Sequence, residues 1–171
     1  VWQHLHDKTG VLSIIDRLGY LQIDSISVVQ RAHHHILWSR SSAHQPEILA
    51  ELQEQDRAIY EYWCGGVASY LPIKDYRYYL PAVRARANSE RTRRWLQGHS
   101  EVVEQVIDRI RAEGPLTSAD FPSSEANPRG SWWNWKPTKR ALEVLFSAGE
   151  LMVVGRRNFQ RVYDLTSRVL P

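Results

Sequence analysis

Gln22 and Asp24 are the residues with the clearest potential for chemistry, an amide and an acid inside the apolar run Leu21-Gln22-Ile23-Asp24-Ser25-Ile26. The run is short and β-prone, so it reads as a buried strand or the start of a helix. A buried polar group without a partner costs about 1–3 kcal/mol, so both side chains need either a partner or a task. Residues two apart in an extended segment share a face, which aims the pair into one space. A carboxylate placed there can orient and deprotonate a water or stabilise a developing cation, while the amide holds the water or a ligand. The competing reading is local, with Asp24 capping a helix that starts near Ser25 or Ser27.

Positioning this pair falls to the flanking elements. Val11, Leu12, Ile14, Ile15 and Leu18 predict a helix over 11–18 that Gly19 ends. Val28, Val29, Ala32, Ile36 and Leu37 predict a second helix over 28–39, whose other face shows Gln30, Arg31 and His34. Pro46 suits the first turn of another, with Ile48, Leu49 and Leu52 on its apolar side. Residues 59–63 and 68–72, divided by Gly65-Gly66, predict a hairpin. From Ile73 to Trp95 the chain reads as helical, with a kink or fresh turn at Pro81. The polar stretch 88–100 is the expected boundary, giving modules over 1–100 and 101–171. In the second module, helices are expected over 101–113 and 139–148, a short one at 119–121, and a hairpin from 151–154 and 160–165. Three helices followed by a β-hairpin is the order of a winged helix, so the expected class is mainly α with small β, as tandem winged-helix modules.

Other constellations carry weaker signals. His33, His34 and His35 are consecutive, and on a helix neighbours lie about 100° apart, so they cannot converge on one metal. His34 or His35 could donate to a phosphate; the alternative is one packed imidazole and two solvated ones. Trp132, Trp133 and Trp135 precede Lys136, Lys139 and Arg140, an interleaving suited to base stacking and phosphate contact, or else tryptophan anchors in a core. The lysines and Arg140 head a helix, whose N-terminus favours phosphate. Arg156, Arg157 and Arg161 fall on the second hairpin, either as DNA contacts or as charges that protect a solvated strand edge. Glu61, alternating with Tyr60 and Tyr62, is expected to face the polar site.

Composition narrows the class. Hydrophobic residues make up 43% and charged ones 24%, the balance of a folded globular domain, and 171 residues suffice for one ordinary domain or two small ones. The net charge is +3 and the pI about 9.1, with arginine supplying most of the 22 basic residues. That balance favours a nucleic-acid partner modestly. No apolar run approaches the roughly 20 residues of a membrane span, so the cytoplasm is expected. A single cysteine, Cys64, leaves no internal disulfide. Phosphate-binding glycine loops, nucleophile elbows and two-histidine zinc motifs do not occur.

Three segments, LQIDSISVVQRAHHHILWSR (21–40), WWNWKPTKRALEVLF (132–146) and RRNFQRVYDL (156–165), resemble the YcaQ-type interstrand-crosslink DNA glycosylases, which share a winged-helix fold with the AlkZ-type enzymes. The resemblance extends over nearly the whole chain. It implies that Gln22 and Asp24 are the catalytic pair and that the substrate is double-stranded DNA carrying N7-alkylated or crosslinked purines, with no cofactor or metal. Members of that family are typically longer, with a further winged-helix region after the point where this sequence stops at Pro171; Val1 is not an initiator Met, so a fragment or a short form is expected. The expected function is hydrolysis of N-glycosidic bonds in DNA repair by a monomer. DNA contacts are expected from Arg31, His34, Lys136, Lys139, Arg140, Arg156, Arg157 and Arg161. Two rivals are a winged-helix transcription regulator, for which Asp24 would be dispensable, and a protein-interaction module without salt-dependent DNA affinity.

Overall fold

A computed structural model describes residues 7–121 and 137–170. The chain divides into two compact units, Val1–Tyr79 and Leu80–Pro171, so the division falls upstream of the polar stretch 88–100.

In the first unit, α1 (Lys8–Leu18) begins where the Asp7 carboxylate accepts from the Gly10 N–H at 2.8 Å. It buries Val11, Ile14 and Ile15, and Gly19 closes it in the left-handed region at φ 78°, donating to the Ile15 carbonyl. Two residues later β1 (Leu21–Gln22) joins a small antiparallel sheet beside the hairpin of β2 (Ile59–Cys64) and β3 (Val67–Pro72). Gly65 and Gly66 both adopt positive φ, 58° and 88°, which a two-residue hairpin turn of matching twist requires. The helices α2 (Ala32–Trp38) and α3 (Glu47–Ala50) complete the unit, α3 running on into a wide helical turn over Glu51–Gln55. Lys8 pairs with Asp56 at 2.8 Å and Glu51 at 3.5 Å, tethering α1 to that turn at a surface where solvent screens such pairs and they contribute little.

The second helix is shorter than its periodicity predicted. It starts at Ala32, and residues 23–31 form an irregular segment apart from one ladder bond, Ile23 N–H to the Ala68 carbonyl at 2.8 Å. The cause is local: the Asp24 Oδ1 accepts the Ile26 N–H at 2.8 Å, a turn that diverts the chain from helix, and β-branched Val28 and Val29 are poor helix formers. Their apolar spacing therefore marks no buried face.

The division at Tyr79/Leu80 falls within the residues of α4 (Tyr76–Ala87), which has Pro81 inside it. The helical stretch expected from Ile73 to Trp95, with a kink or fresh turn at Pro81, instead continues through Pro81 and breaks at Asn88-Ser89, because Ser89 caps a new helix, α5 (Glu90–Gly98), accepting from the Thr92 N–H at 3.2 Å. In the second unit α6 (Ser100–Glu113) and α7 (Pro137–Ala148) lay Val106, Ile110, Ala141, Leu142, Leu145 and Phe146 into the core, against Leu151, Val153 and Tyr163 of the hairpin β5 (Leu151–Arg157) and β6 (Gln160–Leu165). Phe146 meets Tyr163 edge-on, ring centres 6.2 Å apart. β4 (Leu116–Thr117) pairs with β6, and α8 (Thr166–Val169) follows.

Where a short helix was expected at 119–121, the chain makes a turn instead. The Asp120 carboxylate takes both the Thr117 N–H (2.6 Å) and its hydroxyl (2.8 Å). Those bonds, with Arg157 and Arg109 nearby, hold the carboxyl below its ordinary range. The class is accordingly mixed α/β, which the expected mainly α with small β fits in part: helices dominate, but six strands occur in the described residues, all antiparallel in the pairings β1–β3, β2–β3, β4–β6 and β5–β6. The two-residue strands β1 and β4 each add a third strand to a hairpin, and runs so short carry no periodic signal.

Candidate functional site

The sheet of the first unit decides what Gln22 and Asp24 can reach. Cross-strand partners share a face, so Gln22, Ser69 and Tyr62 form one row while Leu21, Tyr70 and Glu61 form another on the opposite side. Gln22 is exposed at the end of β1. Glu61 is buried at 1% exposure in the other row, so the expectation that it faces the same site as Gln22 is corrected. Parity across three strands is set by register, which the alternation of a single strand does not reveal.

Asp24 sits two residues beyond the strand, half-buried, and is anchored twice. Its N–H donates to His33 Nδ1 at 3.2 Å, and its Oδ1 accepts from Ile26 N–H at 2.8 Å. Oδ2 makes no hydrogen bond among the described residues, which leaves one carboxylate oxygen for an incoming group. The helix-cap alternative does not match this geometry, because α2 begins at Ala32 with Arg31 in the cap position. Accepting from Asp24 requires an unprotonated Nδ1, so His33 carries its hydrogen on Nε2. The ring is buried at 2% exposure, edge-on to Tyr70 at 6.1 Å.

His33 thus holds the acid's backbone, a role its place in a histidine run did not suggest. His33→Phe keeps the ring volume but strips the acceptor, leaving a part-buried N–H unsatisfied at a cost of about 1–3 kcal/mol. The Asp24 amide should then exchange with solvent at least about tenfold faster by NMR, while His33→Asn, which returns an oxygen near the Nδ1 position, should recover part of that protection.

The other two histidines divide differently from the expected one packed and two solvated. His34 is buried, its Nδ1 3.1 Å from His44 Nε2, with the two rings stacked at 5.4 Å. Burial, reinforced by the charge of His34, lowers His44 to about 4, and burial with Arg31 lowers His34. Near neutral pH both rings are therefore uncharged and share one hydrogen between them. His34 is turned inward, so the phosphate contact expected of it is withdrawn. His35 remains exposed, its Nε2 3.2 Å from the Gln30 carbonyl oxygen. Among the described residues no group of three or more His, Cys, Asp or Glu is placed to hold a metal ion.

In the second unit, Lys139 and Arg140 lie in the first turn of α7, and Arg140 Nη1 is 3.8 Å from Glu143 Oε2. Lys139, Arg161 and Arg140 all bear electrostatically on this half-buried acid, yet burial still pushes its carboxyl up. Three expected DNA contacts are therefore gathered around an acid that charge spacing alone did not single out. Arg161 also lies over the Phe146 ring at 5.0 Å. On the hairpin the turn residues Asn158 and Phe159 both have positive φ, 50° and 64°. Arg156 clamps that turn by donating to the Phe159 carbonyl at 2.8 Å with its guanidinium 4.3 Å above the ring. Arg157 is exposed, 3.7 Å from Asp120 Oδ1. Lys136, like Trp132, Trp133 and Trp135, lies outside the described residues. One feature went unforeseen: α5 and α7 border an open groove of about 450 Å³ where Trp95 and His99 stack face to face at 4.3 Å, with Arg91 and Arg140 on its walls.

No solved structure matches this chain. A comparison with protein families matches residues 15–171 to the family described as DNA glycosylase AlkZ-like. That match takes in Gln22 and Asp24 of the first unit and the basic helix and hairpin of the second. Its span leaves out only the beginning of the chain, and the chain belongs to the AlkZ-like DNA glycosylase family.

Proposed function

We propose that this chain is a DNA repair glycosylase that hydrolyses the N-glycosidic bond of N7-alkylated purines and unhooks interstrand crosslinks, with Asp24 and Gln22 as its catalytic pair. The observation that carries the reading is the anchoring of Asp24: backbone held by His33, one oxygen held by the Ile26 amide, and the other oxygen without a hydrogen bond among the described residues. Alkylation at N7 puts a positive charge on the base. When the C1′–N9 bond breaks, its electron pair goes to the base, which leaves neutral and needs no protonating acid. A carboxylate stabilises the cation that forms on the sugar, a water adds to C1′, and its proton passes to the carboxylate and on to solvent. Gln22 holds that water or the nucleotide. We also read the helices and hairpin of the second unit as a winged helix, whose cations neutralise phosphates.

The duplex-binding part is tested by salt. Affinity for duplex DNA should fall steeply as salt rises, and Lys139→Ala or Arg157→Ala should each reduce the slope of log K against log salt by about 0.9, one phosphate contact. An unchanged slope in both variants would remove the basic helix and hairpin from the reading.

A further inference from the structure

We propose that Ile26, Val28 and Val29 form a wedge that enters the base stack beside the nucleotide on which Asp24 acts, an inference that rests on the glycosylase reading. The three are exposed at 69%, 91% and 88%, on an irregular segment where nothing in the described residues covers them. Exposed apolar side chains scattered singly are ordinary; three within four residues, attached to a candidate catalytic acid, are not. The segment is fixed at both ends. Its start is held by the two hydrogen bonds of Asp24 and its end by Gln30, whose Oε1 accepts the Arg31 N–H at 3.0 Å where α2 begins.

Reach and charge choose the partner. Four residues separate Val28 from Asp24, a span of at most about 14 Å of extended chain, so an acid at a sugar C1′ brings the valines within a few base steps of the lesion. From Ser25 to Pro46 the sequence contains no Asp or Glu but has Arg31 and Arg40, a stretch whose charge tolerates a polyanion. Valine and isoleucine offer phosphates nothing. The apolar surfaces that DNA presents are its base faces, which become available when a step opens. β-Branched side chains suit this insertion because they lose little rotamer freedom on burial. A second copy of the chain is a poor occupant, since three aliphatic side chains fall far short of the roughly 800 Å² per partner that a stable interface buries.

The test compares one lesion in two settings with the whole chain. N7-methylguanine is placed opposite cytosine in a continuous duplex, and in a second duplex the same lesion sits in a short unpaired bubble with the same arms. Val28→Ser/Val29→Ser should slow single-turnover release from the paired duplex at least about tenfold, with a loss on the bubble at least fivefold smaller, because the bubble is already unstacked. Val28→Ile/Val29→Ile should retain the paired activity, and the melting temperature of the serine variant should match the parent. A second readout needs no base release. In an Asp24→Asn background, binding should raise the fluorescence of 2-aminopurine placed next to the lesion, and the serine pair should abolish that rise. Equal losses on both substrates, an unchanged 2-aminopurine signal, or a lowered melting temperature would each overturn the wedge. If the parent releases no base from either substrate, the glycosylase reading fails, and the 2-aminopurine signal alone decides whether these residues open the stack.

Discussion

Asp24→Asn is expected to lower base release from N7-methylguanine duplex by about 10²–10⁴-fold while leaving the fold and duplex affinity in place. The separation follows from which atoms do what. The local turn needs only an oxygen to accept the Ile26 N–H, and the asparagine Oδ1 supplies one; the bond to His33 comes from the backbone. The melting temperature should therefore stay within about 3 °C of the parent by calorimetry. Removing a negative charge near the DNA should leave affinity unchanged or slightly tighter by fluorescence anisotropy. A melting loss in proportion to the activity loss would instead make Asp24 a structural residue. Gln22→Ala should cost less, since a side chain that positions water contributes to orientation and not to charge.

The second large effect concerns the leaving group. The cross-strand partners of Gln22, Ser69 and Tyr62, are not carboxylates, and Glu61 lies in the opposite row of the sheet. A site that stabilises only the sugar cation should release bases that leave neutral and fail with those that leave as anions. At saturating protein, release of 7-methylguanine should exceed release of uracil or 8-oxoguanine from the same duplex by at least about 10³-fold. Efficient uracil excision would mean that a protonating group assists departure, and the sparse mechanism would be wrong even if the chain remained a glycosylase.

Much of the scaffold was legible because its signals are local. The apolar periods of α1, α6 and α7, the Gly65-Gly66 turn and the second hairpin all rest on contacts within a few residues, and each element falls close to its expected place. The segment under Gln22 was read as either a strand or the start of a helix, and a two-residue strand carries too little pattern to decide between them or to show its neighbours. His33 reaches the Asp24 amide across nine residues through a turn, a tertiary event with no repeat to betray it. Glu61 was placed on the wrong face because facing depends on the register of β1, β3 and β2 together. Val28 and Val29 were read as part of a helix because apolar spacing looks the same whether the face is buried or left open. The helical stretch from Ile73 misled for the opposite reason: a strong capping serine inside a helical composition stops the helix without changing its average character.

The most direct measurement of the central claim is release of free 7-methylguanine from a fully paired duplex, followed by mass spectrometry alongside the abasic sites formed, with protein in excess of DNA and binding monitored in the same samples. Base and abasic site should form in equal amounts, at least about 100-fold faster than in the protein-free control. Release no faster than the control from duplex that anisotropy shows to be bound would contradict that claim.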